Sequence, residues 1–169
     1  GDITFHGYAA PFYEGARGVP SFNAFLSSGL VFFSNLLTAA LFRLSGMRLY
    51  LFNQGYRQSV EDFISADVVI SVGGGFISSE YGFVRPYSDI AMAKLLGKKV
   101  VIYSQSIGPF CGTINKLVSK LVLGSADLIM LRERRSAQLL TEIGIGDTHV
   151  TADAAFSLAG SKGNKRRGK

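Results

Sequence analysis

Residues 67 to 82 read DVVISVGGGFISSEYG, and the fold turns on why a run of strand-forming residues ends in three glycines. Val68 to Val72 is β-branched apart from Ser71, which suits a buried strand. Each glycine costs roughly 0.5 to 1 kcal/mol relative to alanine within a regular element, so a triplet persists where the backbone turns sharply or another group approaches closely. Gly73, Gly74 and Gly75 therefore mark a site at a strand end.

Outward from this stretch, strands and helices alternate. RQSVEDFISA before it reads as a helix. After it come a helix through YSDIAMAKLLG, the strand KKVVIYSQ, the helix TINKLVSKLVLGSA, the strand DLIMLRE, the helix RRSAQLLTEIG stopped by Gly144, and a last strand in THVTADAAF. The β-branched centre of KKVVIYSQ predicts burial on both faces of its sheet. Helices of this length between strands imply right-handed crossovers, so the expected fold is α/β: a Rossmann-like parallel sheet with helices on both faces. Upstream, Ser21 to Leu44 suits one long helix or two short ones, MRLYLF alternates like a strand, and the first twenty residues show no clear period.

The 169 residues, 47% hydrophobic, suffice for one core. The longest apolar stretch, GLVFFSNLLTAALF, is interrupted by Ser34 and Asn35 and is shorter than the roughly 20 residues that span a bilayer. No transmembrane span is expected, and the chain opens without a secretion signal or an initiator methionine, so its front is expected to be incomplete. Cys111 is the single cysteine and reads as a small buried thiol that calls for no oxidising compartment. Of the +6 net charge, five units belong to Lys162, Lys165, Arg166, Arg167 and Lys169, which leaves +1 on the rest. That basic run holds no aromatic residue for base stacking, so residues 161–169 read as a tail or linker and no nucleic-acid partner is expected.

In a parallel sheet, ligands bind beyond the carboxyl ends of the strands. The four ends carry GGGFISS, SQSIGPF, LRERRS and TADAAF. Each has a plainer reading. GGGFISS lacks both the dinucleotide fingerprint and the phosphate-loop lysine, and could be a bare turn. Gly108 and Pro109 suit a tight turn, Arg132 and Glu133 a surface ion pair, Ser136 first-turn helix chemistry, and Asp153 a turn cap. An arginine at a strand tip is less bland, because its planar fork matches carboxylate or phosphate. His6 and His149 lack partners at ligand spacing, so no metal site is expected.

Taken in order, DVVISVGGGFI, KKVVIYSQSIGPF, DLIMLRERRSAQLLTEIG and TADAAFSL resemble the polysaccharide pyruvyl transferase family, over about residues 61 to 158. Glu133 stands where that family commonly has Asp, and Ala154 where it commonly has Pro. The resemblance implies an enzyme that transfers a pyruvyl group from phosphoenolpyruvate to two hydroxyls of a sugar in a cell-surface or exopolysaccharide, forming a cyclic ketal and releasing phosphate. It implies no cofactor beyond that donor, a glycan or lipid-linked acceptor, and a cytoplasmic location that extends to peripheral association with the membrane. Arg132 is the first choice for a donor-anion contact, with Ser136 in support. Gly73, Gly74, Gly75, Gln105, Ser106 and Gly108 would shape the cleft, and Asp153 is the candidate catalytic acid or base. The resemblance also implies one half of a two-domain glycosyltransferase-B-like architecture, with residues 1–160 the N-terminal half and 161–169 leading toward a second that completes the cleft. The fragment alone is then expected to be nearly inactive. A sugar-nucleotide-dependent glycosyltransferase and a noncatalytic carbohydrate-binding protein are the alternatives.

Overall fold

The computed structural model describes residues 22–46, 57–72, 74–75, 77–78, 84–153 and 155–156. The strand expected in MRLYLF, the first twenty residues and the basic tail lie outside these. Two helices lead, α1 (Phe22–Ser45) and α2 (Arg57–Ser65), so the expected upstream helix is one long element. Then β1 (Val68–Val72), α3 (Val84–Leu95), β2 (Lys99–Gln105), α4 (Thr113–Leu123), β3 (Leu128–Leu131), α5 (Arg134–Glu142) and β4 (His149–Val150) alternate as the sequence predicts.

All pairings are parallel, and the sheet order is β1-β2-β3-β4. Every crossover therefore steps the same way. Right-handed connections then place α3, α4 and α5 on one face. That face holds the core: Val100, Ile102, Ile129 and Leu131 from the sheet meet Tyr87, Ile90 and Ala93 of α3, Leu123 of α4 and Leu140 of α5. A second cluster packs α1 and α2 onto the flank of α3 through Ala39, Val60, Met92 and Leu96. Phe63 packs against both.

The opposite face behaves differently. Ile70 and Val72 are exposed, and Val101, Tyr103 and Met130 are half-buried. The burial expected on both faces of β2 is therefore complete on one only, and β1, at one edge of the described sheet, has no fully buried residue. The physical reason is the one-way strand order, which sends all three crossover helices to the same side. Cys111 is exposed, contrary to the expected buried thiol, because Phe110 takes the adjacent core position as the chain enters α4.

Polar contacts fix the layers. At the amino ends of the strands, one Asp127 oxygen accepts from Lys94 Nζ and the Val100 N–H, both at 2.8 Å, and the other accepts from Lys99 Nζ at 3.1 Å. Lys94 first, then the Val100 amide and Lys99, hold this carboxyl well below the usual carboxylate range. Between α3 and α4, Ser119 donates to the Asn115 carbonyl at 2.6 Å, so its 2.7 Å contact with Tyr87 takes the tyrosine as donor. Burial raises the Tyr87 pKa despite that bond. Gly144 ends α5 at φ 85°, with its N–H on the Thr141 carbonyl and the Ile145 N–H on that of Leu140.

Candidate functional site

The four strand tips meet at the carboxyl edge of the sheet. The Ser106 N–H reaches the Gly74 carbonyl at 2.9 Å and the Gly108 N–H that of Ile77 at 2.8 Å, with a parallel bridge between Ile77 and Ile107. The Arg132 N–H bonds the Gln105 carbonyl at 3.2 Å, and the Thr151 N–H that of Leu131 at 2.7 Å. The loops after β1 and β2 therefore prolong the ladder beyond the regular strands. Gly74, Gly108, Arg132 and Asp153 fall on one edge, as the strand-end argument requires.

A bulge in β2 shapes this edge. Ser104 has φ 53°, and the register slips between Ile102 and Gln105 so that Gln105 pairs with Leu131. The Gln105 amide nitrogen then donates to the Ser71 carbonyl at 3.0 Å and the Ser71 hydroxyl at 2.7 Å. It ties β2 to β1. Its Oε1 is buried with no partner among the described residues, and so is the Ser78 hydroxyl, one residue past the Ile77 bridge.

Arg132 lies at the centre. Its Nε donates to Ser106 Oγ at 2.6 Å and its Nη1 to Asp153 Oδ2 at 3.1 Å, with both side chains about a third exposed. Of the five guanidinium N–H bonds, these use two, so three remain for a ligand among the described residues. The plainer alternative, an Arg132–Glu133 ion pair, is not what forms, because Arg132 crosses to the tip of β4. Asp153 Oδ1 also accepts the Ala155 N–H at 2.9 Å. That bond first, then Arg132, lowers the Asp153 pKa against the opposing effect of desolvation. Asp153 is thus a carboxylate at neutral pH.

Ser136 is fully buried. Its hydroxyl accepts the Ile107 N–H at 2.8 Å and donates to Glu133 Oε1 at 3.0 Å. Both ends are committed, so Ser136 anchors the 106–108 turn to the first turn of α5 beneath the ligand edge. Glu133, the N-cap residue, makes no side-chain bond to the helix amides, leaving the positive end of α5 uncapped beside Arg132. Gly108 has φ 86°, and a Cβ there would sit 2.7 Å from Leu139 Cδ1, so packing against α5 accounts for this glycine. Gly75 differs: a Cβ there would meet nothing within 4 Å among the described residues. Gly73 lies outside the described residues.

The sequence reading missed Ser71, Ser78 and the role of Glu133. Ser78 stands inside the GGGFISS motif, where a hydroxyl beside a glycine turn was the available signal. The Ser71–Gln105 tie follows from the bulge and had none. Among the described residues, no group of three or more His, Cys, Asp or Glu could hold a metal ion, and no helix is long and apolar enough to cross a membrane.

Glycine turns, the amino end of α5 and an oriented arginine thus gather at the carboxyl edge of a parallel α/β sheet, the edge where sheets of this class hold their ligands. The family model for polysaccharide pyruvyl transferase matches residues 7–168, nearly the whole chain, and the chain belongs to that family. It is thus a member of a family of transferases that place pyruvyl groups on polysaccharides. Comparisons with curated proteins and with solved structures gave no match.

Proposed function

We propose that the protein transfers the pyruvyl group of phosphoenolpyruvate to two hydroxyls of one sugar in a glycan or lipid-linked acceptor, with no cofactor. Protonation of the donor's methylene carbon makes its enol carbon electrophilic. Two sugar oxygens then bond to that carbon as the bond to the phosphate oxygen breaks. One of the two hydroxyl protons balances the new methyl group and the other leaves with phosphate or solvent.

The observation that supports this reading is the Arg132 guanidinium, fixed by Ser106 and Asp153 with part of its fork unspent beside the positive end of α5. The donor is a small dianionic or trianionic molecule, and a preset fork of this kind suits its carboxylate or phosphate. In this scheme Asp153 orients Arg132, its low pKa making it a poor proton donor. Ser106 does the same from β2. The glycine loop and Gly75 leave room for the sugar, Gln105 holds that loop through Ser71, and Ser136 acts through the turn it anchors. The general acid comes from a second α/β half that completes the cleft. The site works in the cytoplasm at the membrane surface, where lipid-linked glycans for the cell envelope are assembled.

The test is incubation of the full-length protein with phosphoenolpyruvate and candidate glycans. Phosphate release with a ketal on the sugar, and no need for a sugar nucleotide, is the expected result. Arg132→Ala removes a charge-assisted contact of about 1.5 to 3 kcal/mol and raises the donor KM roughly 10- to 150-fold. Arg132→Lys recovers little of this, since it restores charge without the fork. Wild-type donor kinetics in both folded variants would move the donor site elsewhere. A strict requirement for a sugar nucleotide would favour a glycosyltransferase, and sugar binding without turnover a noncatalytic protein.

A further inference from the structure

We propose that the outer face of α4 is a docking surface for an anionic lipid bilayer. Ile114, Leu117 and Leu121 follow one another at spacings of three and four and so form one stripe. They are 76%, 57% and 66% exposed. The inner side of the same helix buries Ser119 and Leu123 and rests Val118 and Val122 on the core. The bond from Tyr87 to Ser119 pins the rotation of α4, so the stripe faces outward because the other face is already committed. Single exposed leucines are ordinary on protein surfaces, whereas three large apolar residues in one row on an otherwise packed helix are not.

Charge selects the occupant. Helix α4 contains no acidic residue, and its cations Lys116 and Lys120 are both exposed along the flank of the stripe. The Lys120 ammonium lies over Gly144 in the turn between α5 and β4, on the side of α4 that faces that turn. An apolar stripe with exposed lysines along one side and no carboxylate on its own helix matches the acyl and headgroup zones of an anionic leaflet. Pairing of two α4 faces would instead bring four lysines together with no counter-charge on either helix, which disfavours a second copy. The 11-residue helix is too short to span a bilayer, so it lies in the interface.

The position of α4 gives the contact a use. Thr113 begins the helix just after the Ser106–Phe110 loop, so the Ile114 end sits at the strand-tip edge with Ser106 and Arg132. Seating α4 in a leaflet brings that edge to the height of headgroups, where a lipid-anchored glycan presents its sugar. Only this last consequence rests on the proposed transfer reaction.

Vesicle flotation with the full chain tests the surface without any turnover. Vesicles of phosphatidylcholine alone should capture little protein, and equal parts phosphatidylcholine and phosphatidylglycerol should capture it in a salt-sensitive way. The Leu117→Ser/Leu121→Ser double variant should weaken capture by at least about tenfold, and Lys116→Gln/Lys120→Gln by about tenfold at low salt. These residues are on the surface, so both variants should fold, which circular dichroism checks. The basic run at residues 162–169 is unchanged in both, so binding through it alone would leave capture intact and overturn the proposal. A shift from dimer to monomer in sedimentation, with vesicle capture unchanged, would also overturn it and make a second copy the occupant.

Discussion

Replacing Ser136 with alanine isolates the contact on which the ligand edge depends. In the native structure the Ser136 hydroxyl accepts the buried Ile107 N–H at 2.8 Å, and Ser136 itself has no exposed surface. Alanine leaves that N–H without a partner and without access to water. An unsatisfied buried donor costs about 1 to 3 kcal/mol, so about 2 kcal/mol is expected here. The freed Glu133 carboxylate is exposed and turns to solvent, adding little. For a chain of this length the loss corresponds to a fall in Tm of roughly 4 to 8 °C. Denaturant unfolding followed by circular dichroism gives the free energy directly. The turn that loosens carries Ser106, the anchor of Arg132, so the donor KM should rise severalfold while Ser136 touches no ligand. A double-mutant cycle separates the two ends of the hydroxyl: whatever Glu133→Ala costs in the native protein should vanish in the Ser136→Ala background. A fall in Tm below about 1 °C with wild-type kinetics would show that the Ile107 amide finds another partner and that the anchor is dispensable.

Gly108→Ala combines a φ of 86° with a Cβ placed 2.7 Å from Leu139 Cδ1, so it should destabilise the protein by about 1 to 3 kcal/mol, read by denaturant unfolding. Ile102→Ala, at a fully buried position in the middle of β2, should cost about 2 to 5 kcal/mol in the same assay. Asp127 has a folded pKa below its ordinary value of 3.8, so its stabilising effect is present above that value and is lost as pH falls below it. Stability measured from neutral pH down to about pH 2 should therefore decline more shallowly in Asp127→Asn than in the native protein, the difference opening below 3.8, and parallel curves over that acid range would refute the role of the Lys94–Lys99 clamp.

How much of the site the sequence discloses differs from residue to residue. Arg132 is legible because it stands near the end of the strand pattern DLIMLRE and the helix pattern begins two residues after it, which places it at a tip. Its partner is not. Glu133 is adjacent in sequence, yet the guanidinium reaches Asp153, since β4 lies next to β3 in the sheet. Ser136 is legible as first-turn chemistry, but its commitment to Ile107 depends on how closely α5 packs under the β2 loop. Cys111 shows the same limit, since a loop residue is buried or exposed according to which neighbour enters the core.

Local patterning alone settles the identity and order of β1 to β4 and of the helices between them, the glycine at the end of α5 and the alignment of all four motifs on one edge. These follow from β-branched runs, helical periodicity and the handedness of crossovers, each a property of a short segment. Family membership is equally a property of the sequence, carried by motifs in order. The tertiary structure decides what depends on lateral neighbours: that the strands add in one direction, so that α3, α4 and α5 share a face, that a bulge at Ser104 swings Gln105 onto Ser71, and that Arg132 is held from both sides by Ser106 and Asp153. Those contacts join residues 21 to 34 positions apart, and no local preference encodes which strand will lie beside which.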